Sequence, residues 1–277
     1  MVGPTAAGSL PALGSPVNGT GPWQPAGDPT DSGYSIYVAE VTVGGGVPPA
    51  VVAWMNAETT HVVLYAGTNE PPGPWTEKSA VPPDQQQDLL AAFNSGFMIA
   101  DYHTGWYDDG MTAMPLQPGA ASLVINADGT VNVGQWGRDV GPGPGVQAVR
   151  QNLPLLVDNS TPVPSASVPS AWGATLGGVA ATWRSGAGIT AGGDLVYVGG
   201  PSLTPLALAQ ILVAAGSLRA MELDINPEWV SFATFAHVGD AVPGPITQGN
   251  NVLSGMNFAP SHYLQPFSRD FFAVFPR

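Results

Sequence analysis

Short runs in which apolar side chains alternate with polar ones, or stand unbroken for five or six positions, recur from Tyr34 onward, divided by Gly, Pro and Asn. Ser35 to Val43, Ala50 to Met55 and Thr60 to Tyr65 are rich in Val, Ile and Tyr and read as successive strands. Ser122 to Asn126 and Thr130 to Val133 flank Ala127-Asp128-Gly129, and an Asp-Gly between two such runs signals a hairpin. Leu155 to Val157 and Leu195 to Val198 read as further strands. Helical signals are fewer. Pro82-Pro83-Asp84 opens a short helix through Leu90, and another covers Val146 to Asn152. Thr204, Pro205 and Gly216 mark an N-cap, a first-turn proline and a C-terminal glycine around an apolar helix over 205–215. These elements predict a single α+β domain: mixed strands around a few helices, with many Gly/Pro loops.

Residues 1–32 are Gly, Pro, Ser, Thr and Ala with few large apolar side chains, the texture of a flexible or surface-hugging arm, so the domain is expected over 33–277. Charged residues make up 10% of the 277, and the 36 Gly and 29 Pro require many loops. Eight Trp, seven Tyr and nine Phe supply the large apolar side chains that a disordered chain lacks. The net charge of −13 argues against nucleic acid and anionic membranes as partners. With no cysteine, disulfides, thiolate catalysis and zinc-thiolate sites are excluded. Leu206 to Gly216 is the longest apolar stretch, too short to span a bilayer, and Met1 to Pro25 carries neither a basic n-region nor a continuous apolar one.

The richest chemistry follows the apolar helix, in Arg219-Ala-Met-Glu222-Leu-Asp224-Ile-Asn226-Pro-Glu-Trp229. On a strand, Met221, Leu223 and Ile225 face one way, and Glu222, Asp224 and Asn226 the other. At ~3.3 Å per residue the α-carbons of Glu222 and Asp224 lie roughly 6.6 Å apart, close enough to serve one ligand. The plainer alternative is an edge strand with a solvated polar face. Arg184, one of six arginines, precedes the glycine-rich Ser185 to Gly188 and suits a phosphate or carboxylate, though an Arg beside glycines is most often a surface residue. Asn94 sits at a bend where a local Asx turn is the ordinary reading. His61, His103, His237 and His262 are scattered, which disfavours a zinc hydrolase. Asp101, Asp108 and Asp109 with His103, Trp106 and Tyr107 form an acidic aromatic loop that reads as solvated, with Ca2+ binding or a sugar cleft as alternatives.

Taken in order, Ala91 to Phe97, the Ala121–Val133 hairpin, Arg184 to Gly188, Asp194 to Val198, the Leu203–Gly216 segment and Ala220 to Asp224 resemble the phosphodiester glycosidase (uncovering-enzyme-like) family. Asn94, Gly96 and Phe97 fit its Asn-Gly-Gly-Phe bend, with Ser95 in place of a glycine. Arg184 and Gly188 fit its Arg-led stretch of small residues. Leu223 and Asp224 match its Asn-Leu-Asp-Gly-Gly-Gly-Ser block, with Glu222 where the Asn stands and Ile225-Asn226-Pro227 in place of glycines. Glu222 to Trp229 and Ser268 to Phe272 resemble an actinobacterial branch.

The resemblance implies a secreted or cell-envelope hydrolase, its leader removed, that cleaves the sugar C1–O bond of a sugar-1-phosphodiester or a related glycan. In that reading Asp224 stabilises or attacks an oxocarbenium-like state, Glu222 does acid/base work on water, and Arg184 receives the phosphate. Asn94, Gly96 and Asn226 bind sugar hydroxyls, and Trp229 or Trp106 stacks on the ring. No cofactor is expected beyond the Ca2+ alternative. An ordinary glycosidase on a neutral envelope polysaccharide and a non-catalytic glycan-binding protein remain the other readings.

Overall fold

The computed structural model describes residues 10–13, 17–19, 21–44, 47–237 and 248–277. The expected α+β architecture does not form. The described chain is mostly β, folded into three antiparallel sheets of nine, five and five strands, and its α-helices are Ile99–Tyr102 and Pro205–Ala214. Two expected helices account for the difference. Val146–Gln151 is a strand paired with Ala121–Asn126 and Trp106–Asp108, and the segment after Pro82 makes one 3-10 turn, Gln86–Asp88, before Ala91–Asn94 enters a sheet. Both segments are too short to nucleate a lone helix, and strand neighbours capture their backbone groups.

The strands read from apolar runs do form: Ile36–Thr42, Ala50–Met55, Thr60–Tyr65 and the Ala121–Gln135 hairpin. The large sheet runs from Ile36–Thr42 through Ala50–Met55, Leu195–Leu203 and Thr182–Thr190 to Ser217–Glu222. From the 1–32 segment, Gln24–Ala26 pairs on Ile36–Thr42, and Val17 is fully buried.

Alternation sorts the large sheet into two apolar faces. Leu195, Tyr197, Ala187, Met221 and Leu223 turn toward the central core, where Phe93, Phe232 and Phe272 of one five-stranded sheet meet Leu123 and Ala148 of the other. Val196, Val198 and Ala220 turn outward beneath Leu208, Ile211 and Leu212 of the helix Pro205–Ala214. That helix starts as its sequence foretells, the Thr204 side chain accepting from the Ala207 N–H and Pro205 in the first turn.

The glycine-rich stretch that Arg184 leads, up to Gly188, is the middle of the strand Thr182–Thr190. Its glycines serve packing: a Cβ on Gly186 would stand 2.8 Å from the Met221 carbonyl oxygen and 3.1 Å from Leu212. Gly186 lets the helix lie close on the sheet.

Candidate functional site

Three chain segments converge where their strands end: the bend after Ala91–Asn94, the residues beyond Ser217–Glu222, and Arg269-Asp270 just before Phe271–Pro276. Past Glu222 the backbone stays tied to the neighbouring strand, since the Leu223 N–H donates to the Ser185 carbonyl at 2.8 Å and the Ser185 N–H to that of Asp224 at 2.8 Å. Asn152 holds the carbonyls of Glu222 and Leu223 at 2.7 and 2.9 Å. The Asp224 carboxylate is thus placed by a rigid frame. Its Oδ1 accepts the N–H groups of Ile225 at 2.8 Å and Asn226 at 3.0 Å, and its Oδ2 lies 3.4 Å from Arg269 Nη2. Asp224 is 4% exposed. Burial pushes its carboxyl up to about 6, against the opposing pull of Arg269 and the two N–H donors.

Arg269 is held from several sides. Nη2 donates to the Gly96 carbonyl at 2.8 Å, Nε lies 3.3 Å from Glu70 Oε2, and the guanidinium sits 4.9 Å from the centre of the Trp229 ring. Its buried Nη1 has no hydrogen-bond partner among the described residues. Glu70 in turn accepts the N–H groups of Ile99 and Ala100, fixing the bend that carries Gly96. Burial raises the Glu70 carboxyl. Asp224, Arg269, Asn226, Trp229, Asp101 and Tyr102 border a cleft of about 380 Å³.

Of the residues expected at a site, Asp224, Asn226 and Trp229 border this cleft, while Glu222 and Arg184 do not. Those two pair with each other at 2.5 Å, both side chains fully buried beneath the helix layer. Arg184 also donates to the Leu203 carbonyl at 2.9 Å. The Glu222 carboxyl is pushed up to about 8 by burial, which Arg184 opposes and the Asp224 charge reinforces. Glu222 and Asp224 therefore engage different partners, Glu222 turning to Arg184 and Asp224 to Arg269, and of the two Asp224 alone borders the cleft.

Asn94 is buried and bonded throughout, donating to Ser185 Oγ at 2.9 Å and accepting from Tyr197 at 2.9 Å and the Ser231 N–H at 3.1 Å. Gly96 contributes its carbonyl to Arg269. Asn226 caps the Glu228 N–H at 3.0 Å. The Trp229 ring is engaged by Arg269 and by Phe258, stacked 5.6 Å away. Trp106 lies in the central core, 4.3 Å from the Trp75 ring, outside the cleft.

The acidic loop divides in the same way. Asp101 borders the cleft, whereas Asp108 is buried on the strand Trp106–Asp108 and Asp109 stands in the turn beyond it. Among the described residues no three His, Asp or Glu side chains come together to hold a metal ion.

Sequence reasoning missed Arg269, Glu70, Asp101 and Tyr102 as a group around Asp224. Ser268-Arg269-Asp270 had stood out only as part of a resemblance. The stronger signal was scarcity: in a chain with six arginines, one flanked by Asp and an apolar strand is a candidate for burial beside acids.

No family model matches the chain, and no curated protein matches it in sequence. Among solved structures, the catalytic domain of zebrafish N-acetylglucosamine-1-phosphodiester alpha-N-acetylglucosaminidase, auto-inhibited by its pro-peptide, superposes with a TM-score of 0.51 at 14% identity, over 97% of this chain and 87% of that one. The relation is distant and structural. A hypothetical protein from Synechocystis gives a TM-score of 0.48 at 13% identity, over 92% of this chain, and this chain spans 64% of its length. No helix among the described residues is long and apolar enough to cross a membrane.

Proposed function

We propose that the chain is a secreted or envelope glycoside hydrolase that cleaves the C1–O bond of a sugar-1-phosphodiester. The observation that carries this reading is the pairing, on one cleft, of a fixed carboxylate with a guanidinium that has a donor to spare: Asp224 Oδ2 lies 3.4 Å from Arg269 Nη2, and Arg269 Nη1 has no hydrogen-bond partner among the described residues. Breaking that bond builds positive charge at C1 and negative charge on phosphate oxygens. Asp224 meets the first and Arg269 the second, and neither reorganises, because backbone groups already hold both. The distant likeness to a phosphodiester glycosidase fold supports the same chemistry.

Relative to the expectation from sequence, the phosphate role moves from Arg184 to Arg269. Arg184 and Glu222 become positioning residues that anchor the strand end from which Asp224 departs. Phosphate is a weak base and leaves with little protonation, so the seclusion of Glu222 does not remove a required acid; Asp101 is the second carboxylate on the cleft, placed to assist water. Asn226 faces sugar hydroxyls. Tyr102, 37% exposed on the rim, offers the ring that Trp229 does not.

The test is hydrolysis of a sugar-1-phosphodiester beside an uncharged aryl glycoside. Asp224→Asn is expected to lose about 100-fold or more on the phosphodiester. Arg269→Lys, which keeps charge but loses the planar fork, is expected to lose about tenfold on the phosphodiester and little on the aryl glycoside. Wild-type rates in both variants, with the fold intact by circular dichroism, overturn the assignment. Equal turnover of the two substrates would replace it with an ordinary glycosidase.

A further inference from the structure

A second cleft, of about 460 Å³, opens between the two five-stranded sheets and is independent of the hydrolase reading. Its apolar part is Val62, Leu64 and Ile125, and its charged part includes Glu77, Asp108 and Asp109. On the strand Trp106–Asp108, Asp108 shares the inward face with Trp106, so its carboxylate turns toward the space between the sheets. The residue is 7% exposed. No hydrogen bond or ion pair joins that carboxylate to any described residue, and its charged neighbours, Asp109 and Glu77, both add to the rise that burial imposes on it.

The basic side chains at and near the cleft have other partners. Arg277, at the hairpin end of the cleft, donates to the Thr60 carbonyl at 2.9 Å, and the Asp128 carboxyl is drawn down chiefly by Thr130 hydrogen bonds with a smaller pull from Arg277. Lys78 donates to the Gly73 carbonyl at 2.9 Å. His61 stacks on Phe275 at 5.6 Å, and its ring is held below its usual range by burial. A buried carboxylate beside two others, with no ion-pair partner among the described residues, is an arrangement that an incoming cation stabilises. The carboxylates are too dispersed to enclose a metal ion, and the space suits a small organic molecule.

We propose that this cleft binds an organic amine, with one ammonium group seated between Asp108 and Asp109 and its methylene chain lying along Val62, Leu64 and Ile125. The overall charge of −13 would draw such a cation from solution.

Calorimetric titration of the full chain with spermidine at low ionic strength and pH 8 tests it. Saturation near one equivalent is expected. Asp108→Asn, which keeps the shape of the side chain, is expected to weaken binding about tenfold. Asp109→Asn, at an exposed turn position, is expected to weaken it in the same direction, while Asp31→Asn removes an equal charge from an exposed position outside the cleft lining and leaves it unchanged. Absence of saturable binding, or wild-type affinity in both cleft variants, overturns the proposal. One equivalent of Ca2+ that displaces spermidine at matched ionic strength, and that Asp108→Asn abolishes, overturns the ligand class.

Discussion

Asp224 is drawn in opposite directions by pH. In the proposed reaction it acts as an anion, yet burial raises its carboxyl from 3.8 to about 6. Hydrolysis measured as kcat/KM should therefore fall below about pH 6, and the residual rate of Asp224→Asn should lack that limb. Stability runs the other way: a carboxyl whose folded value is raised contributes stability that is complete below its unfolded value and is lost as pH rises through about 6. Activity and stability thus trade across that window. Asp224 was legible in the sequence because an acid after an apolar strand pattern stands out. Arg269 was not, because its role comes from Gly96, Glu70 and Trp229, which are separated from it along the chain and joined only by folding.

At the scale of elements, spacing worked where apolar side chains alternate and failed where a buried polar residue broke the pattern. Val-Gln-Ala-Val-Arg-Gln over 146–151 shows no clean strand alternation, because Arg150 is fully buried. Its partners include Asp270 at 2.7 Å and the Phe97 carbonyl at 2.6 Å, and neither of these can be inferred from the segment alone. The glycines at 186 and 188 misled in another way, since Gly-rich stretches read as loops. A Cβ on Gly188 would stand 2.8 Å from Ser217 Cβ and 3.0 Å from Ala220 Cβ. Gly188→Ala should accordingly destabilise the protein by about 1–3 kcal/mol in urea unfolding, through overpacking of two central strands. Unchanged stability would mean that the strands can part at no cost.

For the molecule as a whole, the sheets are fastened by buried ion pairs as well as by the central core. Arg150, on one five-stranded sheet, reaches Asp270 at the head of a strand of the other, with both side chains fully buried. Asp270→Asn retains the shape but leaves a buried guanidinium without its counter-charge, and should cost about 3–5 kcal/mol in chemical denaturation. A loss below 1 kcal/mol would show the pair to be incidental. Such cross-sheet pairs explain why the all-β outcome was hard to foresee: the strands could be found one by one, but their grouping into three sheets depends on partners distant in sequence.

Phe271–Pro276 lies inside its sheet, between Ala91–Asn94 and the edge strand Thr60–Tyr65. During synthesis those two earlier strands emerge from the ribosome long before their shared neighbour exists. Until residues 271–276 clear the exit tunnel, each presents an unsatisfied backbone edge, and Arg269 is not yet beside Asp224. The nascent polypeptide therefore acquires its continuous sheet and its cleft together, as one event, and in the interval it is a natural client for chaperones that shield open β-edges.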